Sequence, residues 1–254
     1  MKRIIVNADD FGINETVTSE IERVINQGLV SSTTVMANGA CLDEVKQFAG
    51  EHPEVSFGVH LCLSEFGSLT KSEGLYKAGL TDENGQFVRK AVFGLKNLGR
   101  PEVQKAIKDE LNAQIDVVGS LGFPISHADS HHHVHGIYPL RHIIADALKS
   151  RGIDKLRLCM GFNTLRSKIR FTKYLRHVNL NLFYRSRFVT SDGFYPYSMF
   201  VATGVSLRED QTVELMCHPG HPAERYRDEM ALVEAKIAIP EGVQMISYNG
   251  LENR

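Results

Sequence analysis

Apolar positions along the chain fall into short continuous runs, separated by segments in which they recur every three or four residues. Residues 3–8, Arg-Ile-Ile-Val-Asn-Ala, form a run of the kind that parallel sheets bury on both faces. Gly12 and Asn14 punctuate the chain. Val17, Ile21, Val24 and Ile25 then share one helical face that ends at Gly28. The alternation continues with strand-like runs at 32–37, 55–60, 125–129, 155–159, 213–217 and 243–248. Helical patterns occupy 41–50, 102–120, 138–149 and 224–237. Repeated strand–helix units predict an α/β fold, a mostly parallel sheet with helices outside it, either open or closed into a barrel.

Two stretches break this rhythm. Residues 64–100 are rich in Gly, Ser, Lys and Asn, and residues 160–200 in Arg, Phe and Tyr. Excursions of that length in a compact domain are expected to be binding loops or lids. No shift of composition marks a boundary, so residues 1–254 are expected to form a single domain. The four cysteines, Cys41, Cys62, Cys159 and Cys217, are scattered without a CxxC pair, which argues against a zinc knuckle or a disulfide framework. The N-terminus reaches Asp9 and Asp10 before any signal-like apolar region, and no apolar stretch is long enough to span a membrane. We therefore expect a cytoplasmic protein with no membrane partner. A formal net charge of −1 gives no global attraction to nucleic acid.

Chemistry gathers at the ends of the predicted strands. Asn7-Ala8-Asp9-Asp10-Phe11-Gly12 places adjacent carboxylates directly after the first strand, where either a helix N-terminus or a cation relieves their repulsion. His60 ends the third strand; taken alone it reads as a hydrogen-bonded core histidine or as a ligand. His127-Ala128-Asp129-Ser130-His131-His132-His133-Val134-His135 concentrates five imidazoles and an acid within nine residues. Such a cluster is costly in a plain core and well suited to a divalent metal. His218, in Met216-Cys217-His218-Pro219-Gly220, leaves another strand at a proline-fixed turn. In parallel sheets and barrels these C-terminal strand ends are the face where ligands bind.

NADDFG, GVHL, HADSHHHVH and MCHPG, in this order, closely resemble the motifs of the YdjC-like carbohydrate deacetylases, a family that includes chitooligosaccharide deacetylases. The resemblance runs from residue 3 to about 248. It implies a distorted (β/α) TIM-like barrel, often a homodimer, acting on acetylated mono- or oligosaccharides. It also implies a divalent cation, magnesium, held by Asp10, His60 and His131. Two imidazoles and a carboxylate suit zinc, cobalt or manganese better than magnesium, which prefers oxygen shells. The resemblance further implies that Asp9 is the catalytic base and His218 the acid or oxyanion partner. Asp129 is placed to orient a ligating imidazole.

Between Asp154 and Asp192 there is no acidic residue. Lys155, Arg157, Arg166, Lys168, Arg170, Lys173, Arg176, Arg185 and Arg187 all fall in that stretch. It reads as a solvated basic face or dimer rim, or as a set from which one or two arginines meet an anionic substrate group. The competing functions are a barrel metallohydrolase acting on another amide or a phosphoester, and a non-catalytic metal or sugar sensor.

Overall fold

The computed structural model describes residues 1–94, 98–159, 171–237, 239 and 241–252. Its strands are β1 (Lys2–Phe11), β2 (Ser32–Val35), β3 (Ser56–Leu61), β4 (Ala128–Ser130), β5 (Gly193–Pro196), β6 (Thr212–Cys217) and β7 (Val243–Met245). They form one sheet in the order β4-β3-β2-β1-β6-β5, with β7 added to the start of β1, and all these pairings are parallel. Beyond β4, Ala128 bridges to Leu156, and Lys155 bridges to Val189 ahead of β5. The sheet thus curls into a partial barrel, in line with the expected distorted (β/α) barrel. The run at 155–159 contributes only those bridges at Lys155 and Leu156 instead of a full strand.

Helices α1 (Glu15–Asn26), α2 (Leu42–Glu51), α4 (Pro101–Gly119) and α5 (Arg141–Lys149) follow the strands as the periodicity predicts. In α1, Asn14 caps the first turn by accepting from the Val17 amide at 3.0 Å, and Val17, Ile21, Val24 and Ile25 are buried. The excursion at 64–100 contains a short helix, α3 (Glu73–Lys77). The stretch expected to be irregular at 160–200 holds regular structure over its described part: α6 (Phe171–Arg185), β5 and α7 (Tyr197–Thr203). Helix α8 (Glu224–Glu234) packs beside β6.

Parity along β1 explains how the sheet is used. Ile4, Val6 and Ala8 point into the main apolar core against the helices, where a fully buried Ile or Val side chain is worth roughly 1.5–3 kcal/mol. Ile5, Asn7 and Asp9 have the opposite parity and face the barrel interior. Aliphatic side chains usually fill such an interior. Here it is polar: Asn7, Asp9, Thr34, His60, His127, Asp129, Arg157 and Glu214 are all buried and joined by hydrogen bonds. Gly58 makes room for this packing, since a Cβ there would lie 2.7 Å from the His127 ring. Across the floor of the barrel, beyond β7, runs the segment bearing Tyr248, which is fully buried.

Candidate functional site

Asp9 and Asp10 end β1, His60 ends β3, Asp129 lies in β4 with His131 just after it, and His218 follows β6. The five predicted catalytic and metal-binding residues, together with Asp129, thus occupy one end of the barrel. One ligand atom each from Asp10, His60 and His131 lie within 4.8 Å of one another. Asp10 Oδ1 stands 3.2 Å from His60 Nε2 and 2.8 Å from His131 Nδ1. Donors about 2.0–2.2 Å from a tetrahedral metal are roughly 3.3–3.6 Å apart, so a small spreading of these atoms would admit an ion. One carboxylate and two imidazoles, with the remaining positions open, are the donor set of a catalytic rather than a closed structural site. The residues present therefore fit a divalent cation.

The outward nitrogens are committed in the way metal-binding imidazoles require. His60 Nδ1 lies 2.6 Å from Asp129 Oδ1 and 3.1 Å from Thr34 Oγ1, and His131 Nε2 lies 3.0 Å from Glu65 Oε2. Each candidate ligand is backed by a carboxylate that fixes its ring and tautomer. Asp129 matches its expected orienting position. Glu65 escaped the sequence reading, because nothing sets it apart from Glu73, Asp82 and Glu83 in the same Gly- and Ser-rich excursion. Backbone strain collects here too: Asp10, His132 and His133 have φ of 73°, 51° and 54°, in the left-handed region that non-glycine residues avoid.

Asp9 is gripped by a buried arginine. Arg157 donates from NH1 to Asp9 Oδ2 at 2.6 Å and from NH2 to Oδ1 at 2.7 Å, and Asn7 Nδ2 donates to Oδ1 at 2.9 Å. Burial works against the charged carboxylate, but Arg157 outweighs it and holds Asp9 well below the usual carboxylate range. Arg157 also contacts Asp129 Oδ2 at 2.5 Å and Glu214 Oε1 at 2.7 Å. This corrects its placement in a solvated basic face. Arg157 is fully buried because three carboxylates surround it. Of its neighbours in that stretch, Lys155 donates to the Tyr248 and Asn249 carbonyls, Arg185 to the Ser191 and Asp192 carbonyls, and Arg187 lies over the Phe183 ring. Arg166, Lys168, Arg170 and the Lys173 side chain lie outside the described residues.

His218 stacks against Tyr226, with ring centroids 4.2 Å apart, and its Nδ1 lies 3.4 Å from Glu229 Oε1. Burial alone would lower its pKa, but the Glu229 hydrogen bond and the charges of Asp9 and Asp10 raise it above the usual histidine value. Burial favours the neutral form of the remaining histidines of the cluster. His127 bridges Ser126 Oγ and Asn7 Oδ1 and stacks on Tyr248, and burial lowers it well below the usual value. Burial takes His132 to about 4 and His133 to about 3, and also depresses His135. Glu214 was missed, although a lone acid inside an apolar strand is a readable anomaly. Burial raises it to about 7, with Arg157 and Tyr248 offsetting part of the effect.

A polar, strained barrel mouth with an Asp-His-His set defines a candidate hydrolytic metal centre of the (β/α)-barrel class. The sequence matches the YdjC-like protein family over residues 3–245, and the chain belongs to that family. Carbohydrate deacetylase 1 of Listeria innocua serovar 6a is 31% identical over 92% of this chain and 88% of that protein. The carbohydrate deacetylase of Geobacillus stearothermophilus is 28% identical over 96% of each. A proposed cellobiose-phosphate cleavage protein of Enterococcus faecalis V583 superposes with a TM-score of 0.72 over 98% of each chain. At 24% identity that likeness bears on the fold alone.

Proposed function

We propose that this protein is a divalent-metal-dependent carbohydrate deacetylase that hydrolyses the acetamide of N-acetylated amino sugars, chitooligosaccharides being the model substrates. The observation that carries this reading is the meeting of an Asp10–His60–His131 donor set with an ionised Asp9 and a readily protonated His218 at one barrel end. The names of its relatives, carbohydrate deacetylases, supply the bond class.

Asp10, His60 and His131 would hold the cation, which supplies Lewis acidity to the attacking water and the amide carbonyl. Magnesium follows from the family resemblance, whereas the nitrogen-rich donor set favours zinc, cobalt or manganese. Asp129 and Glu65 orient the two imidazoles. Asp9 takes the water proton; held ionised by Arg157, it is available at every working pH, yet it is a weak base that needs an acidified water. His218 carries a proton near neutrality and delivers it to the leaving amine. The four cysteines are buried and free, which accords with work in the reducing cytoplasm. No helix among the described residues is long and apolar enough to cross a membrane. One apolar cluster runs from Ile4 to Val233, which supports the reading as a single domain; a homodimer as the working assembly follows from the family resemblance alone.

Acetate release from N,N′-diacetylchitobiose, with chelator or with Mg2+, Mn2+, Co2+ or Zn2+, tests the reading. We expect turnover that chelation abolishes and metal restores. Asp9→Asn should keep the metal and lose roughly 10²–10⁴-fold in kcat. Phosphoester cleavage without acetate release, or metal binding without any turnover, would overturn it.

A further inference from the structure

Two paths lead from a single tyrosine on the barrel floor to Asp9 at its mouth, one hydrogen-bonded throughout and one that begins with a ring stack. Along the first, the Tyr248 hydroxyl donates to Glu214 Oε2 at 2.5 Å, and Arg157 Nε donates to Glu214 Oε1 at 2.7 Å. The two terminal nitrogens of the same guanidinium clasp Asp9. Along the second, the Tyr248 ring lies 3.7 Å from the His127 ring at an interplanar angle of 9°. His127 Nε2 is 3.1 Å from Asn7 Oδ1, and Asn7 Nδ2 donates to Asp9 Oδ1. The Asn7 oxygen only accepts, so His127 carries its proton on Nε2, and its Nδ1 lies 2.8 Å from Ser126 Oγ.

The geometry explains why the first path matters. A guanidinium is a rigid planar fork, so fixing the direction of Nε–H fixes the plane in which NH1 and NH2 meet a carboxylate. Glu214 sets that direction, and Tyr248 occupies the other oxygen of Glu214, leaving it one orientation. Tyr248 is itself anchored: its amide donates to Ser32 Oγ at 3.1 Å and Lys155 Nζ donates to its carbonyl at 2.7 Å.

We propose that Tyr248 is a positioning residue that fixes the Asp9 carboxylate through Glu214 and Arg157, so that the segment closing the barrel floor sets the geometry of the site at its mouth. The inference rests on Asp9 being the base of the proposed reaction. Tyr184 provides the control, since it too is fully buried and its hydroxyl makes one hydrogen bond, to the His135 carbonyl at 2.8 Å.

The test compares Tyr248→Phe, Glu214→Gln, Glu214→Ala and Tyr184→Phe in the full, Zn2+-loaded chain. Two readouts are taken: kcat and KM for acetate release from N,N′-diacetylchitobiose, and the 1H–15N resonance of Arg157 Nε. Tyr248→Phe should lose about tenfold in kcat with KM unchanged and shift the Arg157 resonance. Tyr184→Phe should do neither. Glu214→Gln, which keeps one acceptor oxygen, should retain more kcat than Glu214→Ala. Equal losses in the two tyrosine variants, or a wild-type kcat in Tyr248→Phe, would overturn the proposal. If the wild-type chain releases no acetate, the reaction assignment fails. The Arg157 resonance needs no substrate, and if it stays unmoved in Tyr248→Phe and Glu214→Gln the coupling fails separately.

Discussion

His218 meets two opposing demands: a buried imidazole prefers to be neutral, while the general-acid role proposed for it requires a proton near neutral pH. Glu229 resolves the conflict, its carboxylate lying against both the His218 ring and the His218 amide, 3.2 Å from the latter. A raised pKa extends the protonated form upward in pH, so the alkaline limb of kcat should fall above the ordinary histidine value near 6.5. Glu229→Gln should move that limb to lower pH and reduce kcat at pH 8 more than at pH 6. His218→Ala should cost on the order of 100-fold or more in kcat. An alkaline limb that ignores Glu229→Gln would assign the proton to another group. Asp9, Asp10, His60 and His218 stand out in the sequence because each sits near a strand end, whereas only the family resemblance singles out His131 among five neighbouring histidines. Arg157 was not legible: its partners Asp9 and Glu214 lie 148 and 57 residues away, and in sequence it is one cation among many.

Helix α4 illustrates what a helical pattern reveals and what it hides. Its apolar stripe of Val103, Ile107, Leu111, Ile115 and Val118 is buried as the periodicity predicts. Glu110 and Gln114 are buried with it, and they hold the excursion that begins at residue 64. Glu110 accepts from the Leu69 and Thr70 amides at 3.0 and 2.9 Å and from Thr70 Oγ1 at 2.7 Å, while Gln114 pairs with both backbone groups of Cys62. Because Glu65 lies on the same excursion and backs His131, the anchor reaches the site. Glu110→Ala would strand two amides, at about 1–3 kcal/mol each. Faster amide exchange should appear at residues 65–70, together with weaker metal affinity, in hydrogen-exchange and metal-titration experiments. Unchanged exchange there would show that the excursion is held elsewhere. Helix α6 went unread for a different reason. Leu175 is 48% and Leu182 61% exposed, so its apolar residues do not mark a single buried stripe.

At the scale of the whole molecule, strand–helix alternation sufficed to predict a parallel sheet with outer helices, but not its closure. That closure depends on isolated bridges at Leu156 and Val189, which no periodic pattern encodes. Nor does an apolar run such as β1 announce that every second residue feeds a polar interior, and that interior has a consequence for stability. His127, His132, His133 and His135 are held neutral, so below about pH 6.5 the unfolded chain takes up protons that the fold refuses. Their depressed values make stability fall as pH falls. Glu214, raised to about 7, acts in the opposite sense, binding a proton in the fold before the unfolded chain does. His60 and His218 are raised, so their contribution is already complete below about 6.5 and adds no slope there. Asp9 and Asp10, held low, lose their stabilising contribution only below about pH 4. Between pH 6.5 and 4.5 these four histidines, with His221 lowered in the same way, oppose the raised Glu214 and Glu22, and the balance favours unfolding. His133 alone, at about 3 in the fold, accounts for about 3 kcal/mol at pH 4.5, or a Tm loss of roughly 5–10 °C. Calorimetry in chelator, which removes any metal contribution, should show Tm dropping across this window. His133→Asn, whose side chain tolerates the left-handed backbone and does not titrate there, should flatten the drop by one proton's worth. A Tm independent of pH from 6.5 to 4.5 would mean that the histidine cluster takes up protons within the fold, and that the polar barrel interior opens to water more readily than its burial indicates.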